Sequence, residues 1–156
     1  MSELSIDLIW ELDKGEMNTG KYSNVHQVIF TPEHKIISDS APDWGGSVSN
    51  TNPEQTLAAS LSSCHMMTFL ALAAKMKWPV VSYKDKAIAF LGKNSKGKMA
   101  VTKIQLQPKI DFSNGFSVDK KEMATMQDKA HRYCFIANSL SDELEGTTHY
   151  AKQLVA

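Results

Sequence analysis

The sequence has a single arginine, few cysteines and no excess of either charge. Its 156 residues include two cysteines, and 17 basic side chains balance 17 acidic ones. A neutral chain lacks the basic surface that nucleic acids and anionic membranes recognise by charge, so we expect neither partner. Two cysteines are also too few for the disulfide scaffold of a small secreted protein.

The first residues of the chain do not resemble a targeting signal. Residues 1–7 include two acidic side chains and lack the basic and then apolar order of a signal peptide. We also expect no segment long and apolar enough to span a bilayer. These features favour a cytoplasmic protein with a single domain over residues 1–156. Because the cytoplasm keeps idle thiols reduced, a disulfide between the two cysteines is expected to be transient and catalytic rather than structural.

The chain opens with strand-like segments and then a turn-rich stretch. Residues 6–12, 25–30 and 35–38 predict a three-stranded meander. Residues 41–47 are rich in turn formers and predict an exposed loop that leads toward the first helix.

The strongest local signal in the sequence is a helix start at Pro53. Asn52 is a suitable cap, proline fits the first turn, and Gln55 is placed to complete a capping box. From residue 57 to residue 77 the segment has no helix breaker and is apolar on most faces, which predicts a centrally buried helix. Such a helix needs more cover than one sheet gives, so we expect a homodimer whose central helices pack together.

The rest of the chain predicts a hairpin, a second helix and a last strand. Residues 80–90 and 99–112 flank a polar, glycine-containing turn. A second helix is expected to start at Asp119 and to run through Cys134 toward Leu140. Residues 147–155 predict a final strand. Together these elements indicate an α+β fold with antiparallel strands.

Neither cysteine is informative taken alone. Helical spacing puts Cys64 on one face with Leu57, Leu61, Thr68 and Ala71, so its thiol is expected to point into the core or into a cleft beside it. Free cysteine usually packs as a small buried hydrophobe. The residues around each cysteine are therefore what favours a chemical role.

Two blocks of sequence resemble the active-site segments of the OsmC/Ohr hydroperoxide-reductase family. They are Asn52-Pro53-Glu54 followed by small residues and Cys64, and Ala130-His131-Arg132-Tyr133-Cys134 followed by Asn138. The order of elements is also similar, and the resemblance covers the chain from about Lys35 onward. It implies the OsmC-like fold, with antiparallel sheets, a long central cysteine-bearing helix and a second cysteine-bearing helix, in a domain-entwined homodimer.

The resemblance also implies a reaction. In the family the first cysteine attacks an organic hydroperoxide and the second resolves the product as a disulfide, roles that fall here to Cys64 and Cys134. A dithiol such as a lipoyl group restores the thiols, and no metal or organic cofactor is implied. Glu54 matches the family's active-site glutamate.

The chain departs from the family pattern in two places: Phe135 follows Cys134 where the family usually has proline, and the catalytic arginine is missing. The family pairs its reactive cysteine with an arginine from the N-terminal part, whereas the one arginine here is Arg132. A carboxylate without such a partner would raise the pKa of a neighbouring thiol, so another group must supply positive charge or hydrogen bonds if Cys64 reacts. The candidates are His65 as first choice, then His34, Lys35 and Arg132. The alternative for His65 is a structural histidine that forms a hydrogen bond in the core or at the dimer interface. Trp44 is a candidate for closing an apolar pocket over an organic peroxide, or else for a packing lid without a ligand.

A second hypothesis assumes the same fold but no peroxide reduction. On this interpretation the protein is a non-enzymatic small-ligand binding or redox-sensing protein, and the cysteines are not catalytic. The surroundings of Cys64 are the feature that discriminates, because a cation within hydrogen-bond reach favours catalysis.

Overall fold

The computed structural model describes residues 2–12, 15–113, 115–145 and 149–150. The chain divides into two compact units, residues 1–56 and residues 57–156. We describe each unit by itself.

The first unit is built on a three-stranded antiparallel sheet. Its strands are β1 (Asp7–Ile9), β2 (His26–Thr31) and β3 (His34–Ser38), in the order β1-β2-β3. The predicted meander is therefore confirmed, with a shorter first strand. In the described part of this unit the buried residues are polar, namely Ser38, Asp39 and Asn52, and no apolar side chain is buried. Both faces of the sheet thus leave apolar side chains exposed.

The turn-rich stretch after β3 forms a 3-10 turn at Pro42–Trp44. Gly45 follows it with φ of 87°, a left-handed conformation that glycine adopts without strain. Gly46 approaches the backbone so closely that a Cβ there would lie 1.7 Å from the Ser40 carbonyl oxygen. The two glycines are therefore required by the path of the chain, and Trp44 remains exposed.

The long helix α1 spans Pro53–Lys75 and starts where the sequence predicts. The Asn52 side chain accepts a hydrogen bond from the Gln55 amide at 2.9 Å, which is the expected cap. The Gln55 side chain accepts from the Thr51 hydroxyl instead of completing the capping box. The helix ends two residues before the predicted end, because Lys77 adopts φ of 58° and Trp78 donates back to the Ala73 carbonyl.

The apolar character of α1 was underestimated from the sequence. An 18-residue window of α1 has a mean hydropathy of 1.5, so the helix is long and apolar enough to cross a membrane by length and composition alone. The expectation that no such segment exists was wrong, since no Lys, Arg, Asp or Glu occurs between Glu54 and Lys75. The core helix of a water-soluble protein has the same composition. Accordingly, one face of α1 is buried in the protein core, at Ala58, Leu61, His65, Phe69 and Ala73.

The two predicted strands pair with each other, but each is interrupted, so the hairpin consists of two parts. Its strands are β4 (Val80–Lys84), β5 (Ile88–Lys93), β6 (Met99–Leu106) and β7 (Lys109–Phe112), with β5 antiparallel to β6 and β4 antiparallel to β7. At the break, the Asp85 carboxylate accepts hydrogen bonds from the Ser62 hydroxyl at 2.5 Å and the Gln107 amide at 2.6 Å. These bonds attach the break to α1, and Pro108 beside it has no amide to continue a ladder.

The last described strand differs from the others in direction. β8 (His149–Tyr150) pairs with β6 in parallel, whereas the other strand pairs are antiparallel. The remainder of the predicted strand over 147–155 lies outside the described residues.

The second long helix, α2, spans Lys120–Tyr133. Its predicted start is confirmed, because the Asp119 carboxylate accepts from the Glu122 amide at 2.8 Å. Its end comes earlier than predicted: Cys134 has extended backbone angles and caps the helix rather than lying inside it. The Asn138 side-chain amide donates to the Arg132 carbonyl at 3.1 Å and so satisfies one of the last helical carbonyls. A 3-10 turn, Ala137–Ser139, and a short helix, α3 (Asp142–Glu145), follow.

Two apolar clusters form the core of the second unit. One contains Leu61, Ile104, Leu106, Cys134 and Ala137, and the other contains Phe69, Ile110, Met123, Met126 and Ala130. Both clusters join α1, strands of the broken hairpin and residues of α2 or just after it. The spacing of Met123, Met126 and Ala130 in the sequence correctly indicated the buried face of α2.

The cap of α2 can be tested with two substitutions in the same helix. Asp119→Ala leaves the Glu122 amide without its acceptor and is expected to lower the free energy of unfolding by about 1 kcal/mol. Asp128→Ala is the control, because Asp128 is exposed in the middle of α2. Urea unfolding at one protein concentration measures both. Equal stability of the two variants would contradict the assigned cap.

Candidate active site

Cys64 lies at the edge of the buried face of α1. The centre of that face is one position away, at His65, and Cys64 is half-buried beside it. Of the residues that the sequence grouped with Cys64, Leu61 is buried and Ala71 is exposed. Cys64 thus borders the core while part of its surface faces outward.

Cys134 is fully buried and contacts Cys64. Both thiols are free, and Cys64 packs against the apolar cluster that contains Cys134. Burial raises the pKa of Cys134 to about 11, and the hydrogen bond and negative charge of Cys64 act in the same direction. The Ala137 amide, which donates to the Cys134 sulfur at 3.4 Å, opposes this only in part. Cys134 therefore keeps its proton near pH 7.

The two thiols differ in exposure. Cys64 is half-buried, whereas Cys134 is buried, so an external reagent reaches the Cys64 sulfur first. Cys134 is buried next to Cys64 and is a protonated thiol.

His65 is joined to α2 rather than directed at a substrate. Its ring is buried, and Nε2 donates to the Gln127 side-chain oxygen at 2.6 Å. Burial lowers the pKa of His65, and the charge of His131 lowers it further, against the opposing effects of Gln127 and Asp85. The imidazole is therefore neutral near pH 7. The first-choice expectation that His65 supplies positive charge to Cys64 is corrected: its hydrogen bond fixes α1 against α2.

The partners of Cys64 in the described part of the chain include no cation. They are the Cys134 thiol and, through the Cys64 carbonyl, the Thr68 hydroxyl at 2.9 Å. Arg132 is exposed in the last turn of α2. These described contacts therefore supply no positive charge to Cys64.

Glu54 lies on the same helix as Cys64 but far along it. Ten residues separate the two, which corresponds to a rise of about 15 Å along α1, beyond the reach of a glutamate side chain. Glu54 is half-buried, and its Oε2 atom is buried without a hydrogen-bond partner among the described residues. A buried carboxylate oxygen in this state requires a donor.

The other predicted site residues lie in the first unit. His34, Lys35 and Trp44 are all exposed, and the His34 ring is hydrogen-bonded to the Thr31 hydroxyl at 2.9 Å. None of the three lies in the unit that holds the two cysteines.

Two residues near the cysteines were not indicated by the sequence pattern. Gln127 accepts the hydrogen bond from His65. Asp85 accepts a hydrogen bond from Ser62 and so attaches the hairpin break to α1 two residues before Cys64. Gln127 had a detectable signal, since it is a polar residue one turn before Ala130 on an otherwise apolar helix face. Asp85 had none, because its partners Ser62 and Gln107 are distant in sequence.

No cluster of three or more potential metal ligands is found among the described residues.

A family model described as OsmC-like protein matches residues 45–149. The chain belongs to the OsmC-like family. A solved OsmC-like protein of unknown function from Vibrio cholerae is 38% identical with a TM-score of 0.86, covering 97% of this chain and 99% of that one. The fold of this family member is thus shared over nearly its whole length.

More distant structures share the fold alone. An organic hydroperoxide resistance protein OsmC from Legionella pneumophila is 15% identical with a TM-score of 0.68, covering 97% of this chain and 99% of that one. An organic hydroperoxide resistance protein from Elizabethkingia anophelis is 16% identical with a TM-score of 0.70 and the same coverage. No curated protein sequence matches the chain.

The buried His65 predicts a pH dependence of stability. In the unfolded chain His65 takes up a proton near its ordinary pKa of 6.5, whereas in the folded protein its pKa is lowered. The unfolded state therefore binds more protons as the pH falls, and stability is lost below that pH. His65→Gln is expected to reduce the loss of unfolding free energy between about pH 8 and pH 5, measured by urea unfolding.

An exposed histidine provides the control for this measurement. His34→Gln should retain the pH dependence of the unsubstituted protein. If the His65 and His34 variants lose stability equally as the pH falls, burial of a neutral His65 is not the cause.

Proposed function

We propose that this protein reduces organic hydroperoxides, with Cys64 as the attacking thiolate and Cys134 as the resolving thiol. The observation that carries the proposal is the direct contact between a half-exposed Cys64 and a buried, protonated Cys134. Membership of the OsmC-like family supports it, because two solved structures with this fold are organic hydroperoxide resistance proteins.

The proposed reaction has three balanced steps. The Cys64 thiolate attacks the outer oxygen of R–O–O–H, the O–O bond breaks, and the alkoxide takes a proton to leave as alcohol. The Cys134 thiol then attacks the sulfenic acid on Cys64 and releases water, which forms the disulfide. A dithiol such as a lipoyl group reduces that disulfide by exchange and is itself oxidised to a cyclic disulfide.

The first step prepares the second through charge. As long as Cys64 is a thiolate, its negative charge and its hydrogen bond keep the pKa of Cys134 high. Conversion of Cys64 to a sulfenic acid removes that charge, so Cys134 loses its proton more readily. The resolving thiol is thereby held back until there is a sulfenic acid to resolve, and its proximity prevents further oxidation to irreversible acids.

A homodimer accounts for three features of the single chain. The apolar side chains in the described part of the first unit are not buried, and α1 exposes the narrow side chains Ala59, Ser63 and Ala71 beside Met67. In addition, the Oε2 atom of Glu54 has no donor among the described residues. A second copy could cover the apolar surfaces and pack its own α1 against this stripe. It would also bring a second Glu54 within reach of the thiol.

We assign the reaction to the cytoplasm, whose thiol reductants would return the disulfide to two thiols. Trp44 is proposed to contact the hydrocarbon part of the peroxide, since its exposed ring is available to an apolar ligand.

The rival function, ligand binding or redox sensing without turnover, is favoured by one observation. The described partners of Cys64 include no cation to stabilise its thiolate. A sensor needs only one oxidation event per protein, whereas a reductase must turn over, so steady-state kinetics with a dithiol separates the two.

The roles of the two cysteines predict different products from two variants. With tert-butyl hydroperoxide, Cys134→Ser should form a sulfenic acid on Cys64 and then proceed to sulfinic acid, because the resolving thiol is gone. Cys64→Ser should leave Cys134 reduced, because that thiol is buried and protonated. Intact-mass analysis and trapping of sulfenic acid with dimedone measure both outcomes. Oxidation of Cys134 in the Cys64→Ser protein would overturn the assignment.

A complementation experiment tests whether Glu54 acts across a dimer. Cys64→Ser and Glu54→Gln chains each lack activity alone, but a mixed dimer contains one site with an intact Cys64 and an intact Glu54 from the other copy. Random association of equal amounts should restore about a quarter of the wild-type sites. Coexpression followed by peroxide turnover with dihydrolipoate measures this. If Glu54 acts within its own chain, the mixture stays inactive.

A further inference from the structure

Two hydrogen bonds join the turn between β5 and β6 to the short helix α3. The Glu143 carboxylate accepts from the Ser95 amide at 2.7 Å through Oε1 and from the Ser95 hydroxyl at 3.0 Å through Oε2. The two residues are 48 positions apart in the sequence, so these bonds connect elements that their order along the chain does not bring together. We call this pair of hydrogen bonds the clasp.

The turn that carries Ser95 has a fixed shape. The Asn94 side-chain oxygen accepts from the amides of Lys96 and Lys98, at 3.0 Å in each case. The two lysines also place positive charge beside Ser95 in the sequence, which favours an ionised carboxylate at Glu143. The donors of the clasp are therefore held in position before α3 reaches them.

The helix α3 depends on other elements for its position. It has four residues, Asp142–Glu145, and a helix of that length is not stable by itself. Within the segment, the Leu144 amide donates to the Ser141 hydroxyl at 3.3 Å. The Leu144 side chain is buried, and Glu143 beside it forms the clasp. Both the packing of Leu144 and the clasp therefore hold α3 in place.

Leu144 packs in the apolar cluster that encloses Cys134. The other buried members of that cluster come from α1, from β6 and from the turn after α2: Ala58, Leu61, Ile104, Leu106 and Ala137. The helix α3 lies against β6, which carries two of them. Elements with few buried contacts open locally at the lowest cost. Of the walls around Cys134, α3 is therefore the one that opens most easily.

Cys64 does not depend on α3 in the same way. It lies in the interior of α1, a helix of 23 residues, and is half-buried with α3 in place. Cys134 lies at the end of α2, and residues 135–141 connect it directly to α3. A displacement of α3 would therefore change access to Cys134 more than access to Cys64.

We propose that Ser95 and Glu143 are positioning residues for Cys134, because the clasp holds Leu144 and α3 closed over that thiol. Outside reagents then reach Cys134 when the clasp opens, and in the closed protein the thiol is kept for Cys64. Control of access is a property of the fold and does not require peroxide reduction. Its consequence for turnover rests on the proposed function.

The reaction of Cys134 with an uncharged disulfide tests the clasp. Cys64→Ser leaves Cys134 as the remaining cysteine, and 4,4′-dithiodipyridine converts it to a mixed disulfide with release of 4-thiopyridone, which is followed by absorbance. The rate for a buried thiol follows the fraction of molecules in which it is exposed. Adding Glu143→Ala removes both acceptors of the clasp and should raise that rate about tenfold.

Three further substitutions in the Cys64→Ser protein locate the effect. Asp142→Ala is the matched control, because Asp142 is an exposed acidic residue of α3 that is not the acceptor of the Ser95 hydrogen bonds. It should react as slowly as Cys64→Ser alone. Ser95→Ala removes the hydroxyl donor and keeps the amide, so its rate should lie between those of the parent and Glu143→Ala. Glu143→Gln keeps an oxygen acceptor and should restore most of the protection. Equal rates for Glu143→Ala and Asp142→Ala would overturn the proposal.

A local opening must be separated from a general loss of stability. Urea unfolding in the same buffer gives the unfolding equilibrium constant of each variant, and size-exclusion chromatography checks that the oligomeric state is the same. The rise in rate caused by Glu143→Ala should exceed the rise in its unfolding equilibrium constant. If both rise by the same factor, Cys134 reacts through global unfolding, which contradicts a local clasp.

The consequence for turnover is measured in the protein that has both cysteines. With tert-butyl hydroperoxide, Glu143→Ala should oxidise Cys64 at the unchanged rate but form a larger share of sulfinic acid, because Cys134 is no longer held next to the sulfenic acid. Intact mass gives that share, and an unchanged share would contradict a role of the clasp in the resolving step. A protein that does not react with peroxide would refute the proposed function instead, since the 4,4′-dithiodipyridine experiment uses no peroxide.

Discussion

The contact between α1 and α2 is the interaction on which the candidate chemistry depends. At one point the His65 ring donates to Gln127, and one residue away on α1 the Cys64 side chain packs against the cluster that contains Cys134. The first bond is short and fully buried, so it fixes the spacing and rotation of the two helices. That spacing then determines whether the two sulfur atoms can meet. Asp85 contributes from the other side by attaching the hairpin break to Ser62, two residues before Cys64.

The two thiols differ in exposure and protonation because they occupy different positions in the contact between α1 and α2. Cys64 belongs to the interior of a helix but lies at the border of its buried face. Cys134 caps the end of α2, where its extended backbone turns the side chain into the apolar cluster of Leu61, Ile104 and Leu106. A thiol at a helix border is reachable, and a thiol inside an apolar cluster keeps its proton. The same residue type thus acquires two reactivities from packing alone.

The parts of the fold that were predictable from the sequence are those set by residues close together in the chain. Asn52 and Asp119 cap the helices at the predicted positions because capping requires only the next three residues. Helix ends were less predictable. The end of α2 depends on the side chain of Asn138 folding back to Arg132, and the hairpin break depends on contacts with Ser62, distant in sequence.

In the candidate site, too, some features were predictable from the sequence and others were not. The residue types and spacing around Cys64 and Cys134 indicated the family, which the comparison with solved structures confirms. The charge state of His65 was not predictable, because it depends on burial and on Gln127, 62 residues away.

The lack of buried apolar side chains in the described part of residues 1–56 also affects how the chain is made. This segment leaves the ribosome before the cysteine helix and the hairpin do, and it exposes strands whose apolar side chains have nothing to cover them. Exposed strands with apolar side chains are sites where chains aggregate. During synthesis the first sheet therefore stays prone to aggregation until another surface covers its apolar side chains.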